Sequence, residues 1–318
     1  MKIVVPGGSG QVGTILARAF HRGGHDVVVL TRRVKPAPWR IVPWDPRQRG
    51  AWAAEIDGAD VVINLAGRSV NCRYNAANRR EILESRTMSV RAVGEAIAAS
   101  KRPPAVWLQA STATIYAHRY DAPNDEASGI LGGAERDAPD TWRFSIDVAT
   151  AWEKALDEAL TPRTRKVKMR TAMVMSPDAG GIFATLLMLV RRGLGGSAGD
   201  GRQYISWIHE LDFIGAVEFL IAHDLEGPVN MSSPNPMPNR EFMATLRRAW
   251  GMPVGLPAAK WLLEIGAATV MRTETELVLK SRRVVPGRLL QAGFTFSYPE
   301  WPEAARELCD RVRQNRHL

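Results

Sequence analysis

Cysteine is scarce: Cys72 and Cys309 are the only two in 318 residues, far apart and outside any metal or redox spacing. This argues against a disulfide scaffold and a cysteine-based zinc site. Long apolar runs are also missing; none approaches the ~20 residues that cross a bilayer. No basic-then-apolar leader is read at the N-terminus, where a strand pattern starts at Lys2. A cytoplasmic protein with no membrane partner is therefore expected. Internal repeats and low-complexity stretches are absent. Acidic residues are the minority, 33 against 42 Lys and Arg, for a formal net charge of +9. The basic residues are spread along the chain, and only Arg311 to Arg316 forms a patch. It reads as the end of a C-terminal helix, where cations suit the dipole and are solvated. No nucleic-acid partner is expected. No metal site is expected either, and the residues carry no oligomerisation signal. With 45% apolar residues the chain has room for one large α/β domain and a smaller partner.

What is present starts at once. Lys2 to Val5 is a β-branched run that reads as a buried strand. Gly7, Gly10 and Gly13 follow, and Val12 to Phe20 has helical spacing. Strand, glycine turn and helix form a dinucleotide-binding context, although the spacing is G-x-x-G-x-x-G. In it Gly7 turns the chain, Gly10 admits a pyrophosphate to the backbone, and Gly13 lets helix and strand pack closely. The helix N-terminus, with Gln11 and Val12, would hold the anion. The next strand, His25 to Leu30, ends in Thr31-Arg32-Arg33. A carboxylate here would select NAD; two guanidinium groups and a hydroxyl suit the 2′-phosphate of NADP(H). The alternative is that Arg32 and Arg33 are solvated loop charges.

Further strands are expected at Trp39 to Trp44, Asp60 to Gly67, Ala105 to Gln109, Val167 to Val174, Tyr204 to Ile208 and Gly227 to Met231. Helices are expected at Ala51 to Ile56, Ala76 to Ala99, Trp142 to Leu160, His209 to His223, Arg240 to Trp250, Arg288 to Ala292 and Trp301 to Val312. The charged residues of the second of these, from Arg79 to Arg86, read mostly as its solvated side. The alternation implies an α/β fold, a Rossmann-type doubly wound parallel sheet, with a smaller C-terminal α/β lobe. Asn64-Leu65-Ala66-Gly67 falls at the carboxyl edge of that sheet, where ligands bind. Gly193 to Gly201 lacks the Lys-Ser/Thr ending of a P-loop and reads as a mobile connection. Trp261 to Ala268 is apolar and is expected to pack on the main domain. Trp142, Trp207 and Trp301 read as core residues or as the lining of an apolar pocket.

Together these landmarks resemble the extended short-chain dehydrogenase/reductases. The likeness is to the atypical subgroup labelled nucleoside-diphosphate-sugar epimerase or cell-division-inhibitor-like. It rests on Gly7 to Gly13, Asn64 to Gly67, Ser85-Arg86 with Ser89, Trp152-Glu153, Ser176-Pro177-Asp178, Gly193 to Gly196 and Gly201 to His209. Ser281 to Pro299 matches that subgroup's small terminal domain of unknown function. The resemblance implies an NADP-binding domain over 1–175 that also receives parts of 200–232. A substrate lobe over 176–318 would include a terminal module at about 270–318. It adds Arg86, Ser111 and Met173 to the cofactor contacts. Active members of the superfamily use Tyr-x-x-x-Lys with a Ser or Thr. Here Ser145 and Ala149 stand where that pair is expected, and Lys154 comes too late. Thr112 falls where the superfamily's active hydroxyl sits, and Tyr116 and Tyr120 lie just beyond it. Thr112 and Tyr116 are the catalytic candidates; the alternative is that Thr112 bonds a loop and Tyr116 packs. Two functions follow. One is an NADP(H)-dependent oxidoreductase or epimerase with a non-standard site, acting on a small substrate that is anionic or nucleotide-sugar-like. The other is a catalytically silent NADPH-binding regulatory or scaffold protein.

Overall fold

The structure is a computed structural model, which describes residues 1–48, 50–135, 138–257 and 279–314. Seven strands form its main sheet: β1 (Lys2–Pro6), β2 (Asp26–Thr31), β3 (Arg40–Pro43), β4 (Val61–Asn64), β5 (Val106–Thr112), β6 (Arg165–Thr171) and β10 (Gly227–Met231). Their order is β10-β6-β5-β4-β1-β2-β3, and every pairing is parallel. The chain leaves β1 toward one edge and returns at β4 to build toward the other. The crevice between β1 and β4 is thus a topological switch point, where such sheets bind ligands.

Side-chain alternation explains why both faces are covered. Ile3 and Val5 of β1 point to a core shared with Ile15, Leu16 and Phe20 of α1 (Gln11–Arg22) and with Phe213 and Val217 of α6 (Glu210–Ala222). Val4 points the other way, toward Ile56 of α2 (Ala53–Ile56), Val90 and Val93 of α3 (Ala76–Ala98) and Trp152 of α4 (Asp140–Asp157). The period of two places successive residues in opposite cores, which gives the continuous apolar runs of a buried parallel strand.

Two expected strands are broken, each for a reason that lies elsewhere in the chain. The run from Val167 to Val174 divides at Ala172, whose N–H donates to the Met231 carbonyl. Beyond it β7 (Met173–Met175) leaves the sheet and pairs with β9 (Trp207–His209). Similarly, Ser206 separates β8 (Tyr204–Ile205) from β9. Its hydroxyl donates to the Arg282 carbonyl at 2.5 Å and accepts from the Val284 N–H at 2.8 Å.

A third apolar core joins α5 (Ile182–Arg191), β9, α7 (Asn239–Trp250) and α9 (Trp301–Gln314). Trp207 and Trp301 are fully buried in it, and Trp301 stacks on Phe242 with ring centroids 4.0 Å apart. Gly193 to Gly201, expected as a mobile connection, is stapled: Leu256 N–H bonds the Gly193 carbonyl, and Asn239 Oδ1 accepts from the Ala198 N–H. Of the basic patch at the C-terminal helix end, Arg316 lies outside the described residues, and the two described arginines are paired. Arg311 pairs with Glu210 and Glu307, and Arg313 with Asp310. Between these elements α8 (Gly287–Gln291) packs Leu289 into the first core. Trp261 to Ala268 lies outside the described residues. Among the described residues no helix is long and apolar enough to cross a membrane.

Candidate functional site

The three glycines after β1 do different work. Gly7 has φ 74°, and a Cβ there would lie 2.5 Å from the Ala66 Cα. Only glycine takes that conformation freely, so it sets the turn and its fit against the β4 exit. A Cβ on Gly13 would lie 2.4 Å from the Cα of Gly8, so the close approach it permits is to the turn. Gly10 faces open space: a Cβ there meets nothing within 4 Å. It is also the residue before α1, and neither a side-chain cap nor a first-turn acid satisfies that helix end. The first-turn N–H groups of Gln11, Val12 and Gly13 have no intrahelical partner and carry the positive end of the dipole. The side chain of Gln11 presses on Gly181, and its Nε2 is buried without an acceptor. Open space, free N–H groups and an orphaned amide fit a dinucleotide pyrophosphate.

Two neighbouring strand ends complete this half. Thr31 Oγ1 lies 2.8 Å from Ser9 Oγ and accepts from the Arg33 N–H at 3.2 Å. The bond fastens the glycine turn to the end of β2, with Arg32 and Arg33 exposed beside it. At the end of β4, Asn64 is fully buried. Its amide donates to Gln109 at 2.9 Å, and its Oδ1 accepts from the Ala66 N–H at 3.1 Å. Leu65 N–H bonds the Pro6 carbonyl. Asn64 therefore holds the bend of Leu65, Ala66 and Gly67 against the turn.

A second region opens at the carboxyl ends of β5 and β6, a cleft of about 410 Å³. Ser111, Thr112, Thr171 and Met173 contribute from the strand ends. From α4 come Phe144, Val148 and Trp152 together with Ser145 and Ala149, the positions where the superfamily's phenol and amine are expected. Thr112 Oγ1 accepts from the Thr114 N–H at 3.1 Å and opens a 3-10 turn over Ala113–Ile115. That bond uses a lone pair and leaves the hydroxyl proton.

Beneath the cleft is a buried polar chain. Ser111 Oγ donates to Glu153 at 2.6 Å. Arg170 grips both oxygens of Glu153 at 2.8 Å, a bidentate pair. Its third nitrogen donates to the Tyr116 hydroxyl, which donates in turn to Asn230, each at 2.9 Å. Tyr116 is 2% exposed and does not line the cleft. Burial raises its pKa despite Arg170. The phenol considered as a catalyst is thus placed as a packed one, fixed by neighbours on β6 and β10. Tyr120 is on the surface, its ring 5.0 Å from His118.

Arg86, named with the solvated charges of α3 and expected among the cofactor contacts, opens on the cleft. Its stem passes Gly67, and its guanidinium lies 4.9 Å from the Trp152 ring centroid. Tyr74 belongs to the loop before α3, and the sequence reading gives no role to Phe144, Val148 or Arg282 of the cleft. Tyr74 is buried, with its ring 5.1 Å edge-on to Phe144. Phe144, Val148 and Trp152 stand four apart, a helical stripe that could have marked this wall. Arg282 reaches the cleft from the terminal segment and donates from Nε to Thr114 Oγ1 at 3.1 Å; no local signal announces it. Among the described residues no group of three His, Cys, Asp or Glu could hold a metal ion.

The sheet, its switch point and the open glycine turn define a Rossmann-like, dinucleotide-binding class. A family model for the NAD dependent epimerase/dehydratase family matches residues 3–232, and the chain belongs to that family. Residues 258–308 match a domain of unknown function, DUF1731. Among curated relatives, the epimerase family protein SDR39U1 of Bos taurus is 32% identical, over 97% of this chain and 99% of its own length. The epimerase family protein YfhF of Bacillus subtilis is 28% identical, over 97% and 98%. Among solved structures, human SDR39U1 with NADPH superposes with a TM-score of 0.84 at 28% identity, covering 98% of this chain and 99% of that one.

Proposed function

We propose that this protein is an NADP(H)-dependent oxidoreductase or epimerase of a small molecule, working without a Tyr-x-x-x-Lys pair. The observation that carries the reading is the Thr112 hydroxyl on a cleft at the same sheet edge as the open glycine turn. In this reading the first turn of α1 binds the pyrophosphate, and Arg32, Arg33 and Thr31 receive the 2′-phosphate. Leu65, Ala66, Ser111 and Met173 border the nicotinamide end. The NADPH in the human relative's structure supports the choice of cofactor. The cofactor, when bound, supplies or accepts a hydride. Thr112 donates a hydrogen bond to the substrate oxygen, where charge develops as the carbon is reduced or oxidised. Ser111 is held in place by Glu153 and Arg170.

Calorimetry with NADPH and NADH tests the first half. Tighter binding of NADPH is expected, and equal affinities would remove the NADP assignment. A panel of carbonyl compounds, followed by NADPH absorbance, tests the second. Oxidation of NADPH with at least one compound is expected. A wild type that oxidises none would favour the silent-binder reading, in which the Rossmann half works alone.

A further inference from the structure

Among the described residues, Arg86 has no carboxylate as a counter-ion. Its Nη1 donates to two carbonyls, of Arg68 and Ile82, both at 3.0 Å. No carboxylate acts on it: the titratable groups facing it are Tyr74 and Cys72, and burial lowers its pKa to about 10. It therefore stays charged at neutral pH. Arg86 is half-buried and opens on the cleft, and a charge drawn even partly out of water is costly unless an opposite charge meets it. The indole N–H of Trp152, on the same wall, is also buried without an acceptor. Among the described residues, the lining of the cleft includes two arginines, Arg86 and Arg282, and no carboxylate. Tyr74 and Phe144 beside them offer an aromatic surface. The wall thus presents the Arg86 guanidinium, held only by neutral carbonyls, beside an indole N–H with no acceptor.

We propose that the cleft selects a small substrate that carries its own oxyanion, a carboxylate or a phosphate ester, with Arg86 as its receptor and an apolar body against Tyr74 and Phe144. The proposal deepens the oxidoreductase reading and rests on it for calling the occupant a substrate. A planar guanidinium can give two parallel hydrogen bonds to such a group, and Arg86 holds its backbone carbonyls through one nitrogen. With the anion at Arg86 and the reacting oxygen at Thr112, both ends of the substrate are held. Arg86 then acts on specificity and leaves the pyrophosphate to α1.

Calorimetry with benzoate, phenyl phosphate and the neutral benzamide, with and without NADPH, tests this. Wild type should bind at least one anion roughly ten-fold or more tighter than benzamide, the share of one charge-assisted bond. Arg86→Gln should lose that preference and keep its NADPH affinity, and Arg86→Lys should keep part of it. Benzamide binding as well as both anions would overturn the proposal, and that comparison needs only the wild type. So would an Arg86→Gln protein that loses NADPH affinity and keeps its anion preference, because Arg86 would then serve the cofactor. Anion binding by a wild type that does not bind NADPH would sink the oxidoreductase reading and leave the receptor in place.

Discussion

The two halves of the sheet's carboxyl edge are built by opposite means. At β1 and β2 the site is mostly backbone: a glycine turn, a bare helix end and one hydroxyl bond from Thr31 to Ser9. At β5 and β6 it is side chains, gathered from α3, α4, two strand ends and the terminal segment. Backbone recognition suits a ligand part common to every dinucleotide. Side-chain recognition suits one that differs between family members. In the proposed function the first half binds the cofactor and the second chooses the substrate, so each should break without the other.

The largest effect is expected at Gly10. A Cβ there meets nothing within 4 Å of the protein, and a side chain would stand where the pyrophosphate is expected to approach. Gly10→Val should remove NADPH binding measured by calorimetry and change the melting temperature little, since weaker capping costs about 1 kcal/mol or less. Gly13→Ala sharpens the contrast. Its methyl group would meet the Gly8 backbone, so the turn must shift and stability should fall. A folded Gly10→Val protein that still binds NADPH would show that the ligand does not use this turn.

On the other half, Thr112→Val should lower any turnover by about 10²–10⁴-fold, the share of one acid–base or hydrogen-bonding group, with NADPH affinity nearly unchanged. Tyr116→Phe makes the useful pair. It removes a buried hydroxyl shared by Arg170 and Asn230, so its cost should appear in stability, about 1–3 kcal/mol for partners left unsatisfied. Turnover that falls with Tyr116→Phe and survives Thr112→Val would reverse the roles given to the two residues.

The same division governs what could be read from the sequence. The glycine half was legible because its parts are adjacent: strand, turn and helix lie within the first 22 residues. Thr31 to Arg33 follow one strand later. The cleft was partly legible, since Thr112 and Ser111 end a strand and Met173 begins one. Arg86 reads both with the mostly solvated charges and as a cofactor contact; Ile82, Arg86 and Val90 stand four apart, a spacing that puts it on the same stripe as the buried Ile82 and Val90. The breaks at Ala172 and Ser206 depend on partners 59 and 76 residues or more away, Met231 in one case and Arg282 and Val284 in the other. No local pattern encodes such partners. For the same reason Glu153 and Arg170, one helix and one strand apart, were not paired in advance.

A smaller effect is expected from the two exposed arginines. Each could give a charge-assisted bond to a 2′-phosphate, so Arg32→Ala and Arg33→Ala should together cut the preference for NADPH over NADH by roughly ten-fold to several hundred-fold. Binding of NADH and the behaviour of the cleft should not change. Equal losses for both cofactors would mean that the arginines meet a group the two share.

The smallest effect concerns how the terminal segment is held to the rest. His118 Nδ1 accepts from the Ser281 N–H at 2.7 Å, and His209 Nδ1 accepts from the Leu211 N–H while its Nε2 meets Glu307 of α9 at 2.9 Å. Both rings must keep an unprotonated nitrogen to accept these bonds. Burial lowers both pKa values, at His118 aided by Lys280 and Arg282 and opposed by Glu135 and Asp200, and at His209 opposed by Glu307, Asp212 and Glu210. In the unfolded chain both rings titrate near the ordinary ~6.5. The unfolded state therefore binds protons first as the pH falls, and the stability these rings provide is present above about 6.5 and lost below it. The carboxyls of Asp212 and Glu126 are raised by burial and act in the opposite sense, starting from a lower ordinary range. The melting temperature should thus drop by a few degrees between pH 7.5 and 5.5. His118→Asn, which keeps an acceptor for the Ser281 N–H but does not titrate, should flatten part of that slope. A wild-type melting temperature that stays level across this window would show that the histidines do not clamp the terminal segment.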